Sequence, residues 1–89
     1  MATDDKFVFI AEWWDQQASI MRDFFLDFYL EDKSISIYDR KLKRPFLKRV
    51  LYPQVSENDF FIGATVTIYS RQFKIVDYGD EFTRKAFHS

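Results

Sequence analysis

Cysteine is absent from the 89 residues of this chain, which removes disulfides and thiolate metal sites at once and suits a reducing compartment. Glycine and proline occur only twice each, too seldom for a flexible linker or a low-complexity tract, and no internal repeat is visible. The single histidine, His88, stands one residue from the end. Ser-His-Asp constellations, paired-histidine zinc sites and phospho-histidine chemistry therefore have nothing to form from. Gly63 and Gly79 are isolated, and neither belongs to a phosphate-cradling GxxxxGK or GxGxxG loop. No apolar run approaches the ~20 residues needed to cross a bilayer. The acidic start, Met1 to Lys6, lacks the basic and apolar segments of a signal peptide. These absences predict no catalytic residue, no cofactor, no metal and a cytoplasmic setting.

What is present is aromatic. Eleven Phe, five Tyr and two Trp compensate for a chain near the lower size limit of a self-sufficient core. One domain is expected over residues 6–89, preceded by a disordered tail over 1–5. A net charge of −1 gives no global attraction to nucleic acid or to an anionic membrane. Its distribution is uneven: Arg40, Lys41, Lys43, Arg44, Lys48 and Arg49 lie in one acid-free decade, after a segment holding Asp15, Asp23, Asp27, Glu31, Asp32 and Asp39.

Periodicity predicts a mainly β, all-β fold with a short C-terminal helix. Phe7 to Trp14 reads as a first strand, apolar on both faces near its start. Ser19 to Leu30 is a second, with Phe24, Leu26, Phe28 and Leu30 on one face and Asp23 and Asp27 on the other. A helix over Ile20 to Tyr29 is the competing reading, outweighed by the clean period of two. Ser34 to Tyr38 pairs back with Ile35 and Ile37 inward, a basic loop spans Asp39 to Arg44, and Pro45 to Leu51 forms a fourth strand that Pro53 ends. Ser56 to Asp59 reads as a helical turn delivering Phe60 and Phe61 to the core. A last hairpin places Val66, Ile68, Phe73 and Ile75 inward around a three-residue turn, Ser70 to Gln72. Asp80 caps a terminal helix whose Phe82, Ala86 and Phe87 close one end of the sheet. So many short strands are best hidden by curling into a small bent barrel. Asp77, Asp80 and Glu81 lack the alternating ligand loop of a calcium site and read as capping groups.

The particular residues also resemble a known family. Asp59-Phe60-Phe61-Ile62-Gly63, Val66 to Phe73, and Asp77-Tyr78-Gly79-Asp80-Glu81-Phe82-Thr83-Arg84 resemble the DM-ten domain of ciliary and flagellar doublet-microtubule proteins. Phe9-Ile10-Ala11-Glu12-Trp13, Phe28-Tyr29 and Phe46-Leu47-Lys48-Arg49 look closest to the version at the N-terminus of nucleoside diphosphate kinase seven homologues. The resemblance covers about Lys6 to Arg84. It implies a pleckstrin-homology-like β-barrel plugged by a C-terminal helix, with kinase domains following in the full-length homologues. It also implies a structural role in the axoneme of a cilium or flagellum, contacting tubulin or neighbouring microtubule inner proteins, with no nucleic-acid partner.

No ligand residue of the family is available to transfer, so the candidate contacts come from the residues themselves. They are the basic loop, Arg40, Lys41, Lys43 and Arg44, with Arg71 expected at a hairpin tip and Trp14 as an exposed aromatic. A positive patch aids orientation and on-rate against an acidic surface, and tryptophan is enriched at binding hot spots. The competing reading is that the charges are solvated, and that Trp14 packs under a loop or the terminal helix. The chain is expected to be monomeric in isolation. Two other functions stay open: phosphoinositide or anionic-membrane binding through the basic loop, and an accessory docked on following kinase domains.

Overall fold

The computed structural model describes residues 5–87. Most of the expected N-terminal tail (residues 1–4) and His88 therefore lie outside the described residues. Six strands, β1 (Lys6–Asp15), β2 (Ile20–Tyr29), β3 (Ser34–Asp39), β4 (Arg44–Leu51), β5 (Thr65–Ile68) and β6 (Arg71–Tyr78), precede one helix, α1 (Glu81–Phe87). All pairings are antiparallel, in the order β4-β3-β2-β1-β6-β5. With one short helix and no second sheet to cover it, the six-stranded sheet curls on itself. Register shifts between Ile10 and Ala11 and around Ile37 supply the local bends. No ladder joins the two edge strands. The seam is filled by side chains instead, with the Tyr52 and Tyr69 rings 4.9 Å apart and the Tyr69 amide donating to the Tyr52 hydroxyl at 3.2 Å.

The two-residue period decides what is inside. Phe24, Leu26 and Phe28 of β2 are fully buried, as are Phe9 and Ala11 of β1 and Phe73 and Ile75 of β6; Ile35 and Ile37 of β3 are equally enclosed. Phe60 stacks on Phe9 with centroids 5.1 Å apart. The strand reading of Ile20–Tyr29 is thus correct, and so are the inward faces expected for β2, β3 and the last hairpin.

Two expectations need correction. Phe61 is exposed, not core. The one-turn 3₁₀ helix Glu57–Asp59, closed by the Asp59 carboxylate accepting the Ser56 amide at 2.9 Å, turns Phe60 inward and its neighbour outward. The last hairpin has a two-residue turn, Tyr69 and Ser70, with φ of 49° and 68°. Successive left-handed residues match the right-handed twist of the flanking strands. Arg71 therefore belongs to β6, paired with Ile68, rather than to the tip.

One end of the curl is closed by α1. Asp80 caps it, accepting the Thr83 amide at 2.9 Å. Phe87 packs 4.8 Å from Phe7 and 5.5 Å from Phe9, while Phe82 stacks on Phe7 at 5.8 Å. Thr83 is the fully buried member of the helix, and its hydroxyl accepts the Val8 amide at 2.8 Å. Gly79 lies so close that a Cβ there would collide with Val8. This two-sided covering accounts for the apolar character of both faces at the start of β1.

Candidate functional site

Antiparallel succession carries the β1–β2, β3–β4 and β5–β6 turns to the end of the sheet away from α1. No helix covers this end. Its inner face is closed by Arg22, which continues the inward series Phe24, Leu26, Phe28 but replaces a hydrophobe by a guanidinium. That group lies 5.9, 5.6 and 5.8 Å from the ring centroids of Trp13, Phe24 and Phe46. Arg71 reaches two of these rings from β6, 5.1 Å from Trp13 and 5.2 Å from Phe46. Two cations thus roof an aromatic floor.

Arg22 also joins two turns of matching construction. Asp15 accepts the amides of Gln17 and Ala18 through Oδ1, at 3.1 and 3.2 Å, and Arg22 at 3.2 Å through Oδ2. Asp39 accepts the amides of Lys41 and Leu42 through Oδ1, at 3.0 and 2.9 Å, and Arg22 at 2.6 Å through Oδ2. Each turn ends on a left-handed residue, Ser19 at φ 56° and Lys43 at φ 57°. An aspartate opening a turn bonds its own backbone in this way because its short side chain reaches the amides two and three residues on. Burial by itself would raise the pKa of Asp39, but the Leu42 amide, Arg22 and the Lys41 amide together hold it below its ordinary value of 3.8. The Ala18 amide and Arg22 likewise lower that of Asp15. Donating to the Asp39 carboxylate raises the pKa of Arg22 in return.

The braced β3–β4 turn holds most of the predicted contacts. Lys41, Lys43 and Arg44 are exposed and have no ion-pair partner among the described residues. Arg40 is different: it bonds Asp23 at 3.3 Å and lies 4.9 Å from the Phe25 ring, so its charge is already matched. Trp14 is 51% exposed and directly opposite Met21, itself 53% exposed. Trp13 points the other way, onto Phe24, Phe46 and Phe73. The structure therefore brings Trp14, Lys41, Lys43, Arg44 and Arg71 to one end and places Arg40 there as a paired residue. The expected loop is also tighter than its sequence limits suggest, because Arg44 already pairs with Asp39.

Sequence reasoning passed over Arg22 and Asp39. A cation at inward parity beside Phe24, and an aspartate opening a short polar turn, were the available signals. Neither indicates that the two meet, since they lie on different strands. Among the described residues no three metal-ligating side chains converge. Asp80 serves as the helix cap, and Asp77 lies 3.7 Å from Arg84.

A strongly curled six-stranded antiparallel sheet, plugged at one end by a C-terminal helix and roofed by arginines at the other, defines a pleckstrin-homology-like domain. Within that class the chain belongs to the family described as the nucleoside diphosphate kinase 7 N-terminal PH domain, whose model matches residues 1–89. It is 44% identical to the mouse protein named nucleoside diphosphate kinase homolog 7 over 85 residues, and 42% identical to the rat protein of that name over the same length. Each match covers 96% of this chain but 22% of the relative, so the chain spans about a fifth of those proteins. The matched segment is their PH-like N-terminal domain rather than a kinase domain.

Proposed function

We propose that this domain is a non-catalytic adhesion module that attaches its parent chain to the doublet microtubules of a cilium or flagellum, binding tubulin or a neighbouring microtubule inner protein. The observation that carries the reading is the braced β3–β4 turn, which presents Lys41, Lys43 and Arg44 without acidic partners among the described residues, with exposed Trp14 at the same end of the sheet. A rigid turn loses little entropy when its charges engage a partner, and a positive edge steers association toward an acidic surface. The residues resembling the DM-ten domain support the choice of partner. Trp14 supplies an exposed apolar anchor at the same end of the sheet.

Microtubule cosedimentation tests this. The chain should pellet with microtubules, less so as salt rises, and the fourfold variant Arg40→Ser, Lys41→Ser, Lys43→Ser, Arg44→Ser should remain in the supernatant. Equal pelleting of the variant would remove the turn from the mechanism. Flotation with phosphatidylserine vesicles distinguishes the membrane reading, which predicts capture by vesicles and not by microtubules. Pelleting only of a full-length homologue would favour an accessory role toward the rest of the parent chain.

A further inference from the structure

β2 is longer than the strand beside it. Its pairing with β3 begins at Phe24 opposite Asp39, so Ile20 to Asp23 overhang with no strand on that side. The direction of the overhanging peptide groups follows from alternation. The Val8 carbonyl accepts Gly79, which points even-numbered β1 residues toward β6 and odd-numbered ones toward β2. Through the β1–β2 register, odd-numbered β2 residues then point toward β3, and the Asp23 carbonyl does accept the Arg40 amide there, at 3.4 Å. The amide and carbonyl of Met21 face the same way, one pleat beyond the end of β3.

Beside this overhang lies a groove of ≈ 550 Å³ between the two braced turns. Its apolar wall is made by Ile20, Met21 and Leu42, which are 45%, 53% and 50% exposed. Its three acids are engaged, Asp15 and Asp39 by Arg22 and Asp23 by Arg40. Lys41, at the rim, has no acid partner among the described residues, and neither do Lys43 and Arg44 beyond it. Uncompensated charge at this groove is therefore positive.

We propose that the groove binds an extended acidic segment of a partner protein, which adds as a strand to the β2 overhang. Such a segment bonds the Met21 peptide group, places alternate apolar side chains between Met21 and Leu42, and turns its carboxylates toward Lys41 and Lys43. Strand addition explains why an apolar wall, outward-facing peptide groups and unmatched cations coincide. The inference rests on the adhesion reading above and gives its partner a form.

The probe is a capped, labelled peptide of alternating glutamate and leucine. Its controls replace glutamate by lysine, or N-methylate alternate amides to block strand pairing. Anisotropy should report binding of the acidic peptide alone, and ¹H–¹⁵N spectra should shift the Met21, Arg22 and Leu42 amides while slowing hydrogen exchange at Met21. Met21→Pro removes one outward amide at a position where an edge strand tolerates proline, and Leu42→Ser removes the facing anchor without burial cost. Each should weaken binding by about tenfold or more. Unchanged affinity in Leu42→Ser, equal binding of the lysine or N-methylated peptide, shifts centred on β5 or α1, or groove shifts produced by phosphatidylserine vesicles and not by peptide would each overturn the proposal. Peptide binding in the groove by a chain that never pellets with microtubules would uphold this inference and sink the tubulin reading alone.

Discussion

The two ends of this barrel are closed by different chemistry. At the helix end, Phe7, Phe9, Phe60 and Phe87 form a continuous aromatic plug, and Thr83, a polar group buried there, is matched by the Val8 amide. At the turn end the floor is aromatic but its roof is charged: Arg22 ties Asp15 and Asp39 together over Trp13, Phe24 and Phe46. Burial of large rings stabilises without any need for specificity of direction. An ion-pair brace contributes less but fixes geometry, because each carboxylate must serve two amides and one guanidinium at once. The difference teaches where a module without reactive groups keeps its working surface: stability is concentrated at the helix end, and orientation of exposed cations at the other.

Substitutions at the two ends sharpen that contrast. The largest effect is expected in the shared core: Phe28→Ala should cost about 3–5 kcal/mol by chemical denaturation, because Phe28 is fully enclosed and packs 5.3 Å from Phe60. Arg22→Met keeps the apolar stem but strips two carboxylates of their cation, and should cost about 1–3 kcal/mol. Its signature is faster amide exchange at Gln17, Ala18, Lys41 and Leu42, with the α1 amides unaffected; uniform acceleration would show that the brace is not local. At the helix end, Thr83→Val leaves the Val8 amide without its partner, for a loss of about 1 kcal/mol and fraying confined to α1 and the start of β1. The smallest stability effect belongs to Lys41, Lys43 and Arg44: their joint replacement by Ser should change folding free energy by less than about 0.5 kcal/mol, since exposed charges contribute little.

Acid titration sharpens the comparison further. Asp39 and Asp15 both titrate below their ordinary value of 3.8 in the folded chain. A lowered carboxylate contributes stability that is present above the unfolded value and is lost as pH falls through the folded one. Stability should therefore decline below about pH 4; Asp32 at the helix end, lowered by Ser34 and Arg49, contributes to the same limb beside Asp15 and Asp39 at the turn end. Asp39→Asn keeps an acceptor for the turn amides and should flatten that decline. An unaltered acid limb in the variant would remove the brace from it.

Much of this architecture is legible in the residues because it depends on short-range pattern. Phe24, Leu26 and Phe28 at a spacing of two, or Asp80 three residues before Thr83, carry their structural meaning locally. What escapes such reading is set by partners distant in the chain. Arg40 looks like one of four equivalent loop cations until Asp23, 17 residues earlier, is seen to match it. Arg22 acquires its role only when β1, β3 and β4 bring Asp15, Asp39 and Phe46 around it. The Tyr69-Ser70 turn is hidden for another reason: left-handed turns are usually marked by glycine or asparagine, and here two ordinary residues take those angles. The outward rotation of Phe61 similarly depends on a single 3₁₀ turn, whose exact phase no period reveals.

The most direct test of the account compares microtubule cosedimentation of two surface variants of matched stability. One carries Lys41→Ser, Lys43→Ser and Arg44→Ser at the turn end, and the other Glu81→Ser and Lys85→Ser on the helix. The account predicts that only the first loses binding and its salt dependence. Loss of binding in the helix variant, with the turn variant still pelleting, would contradict it.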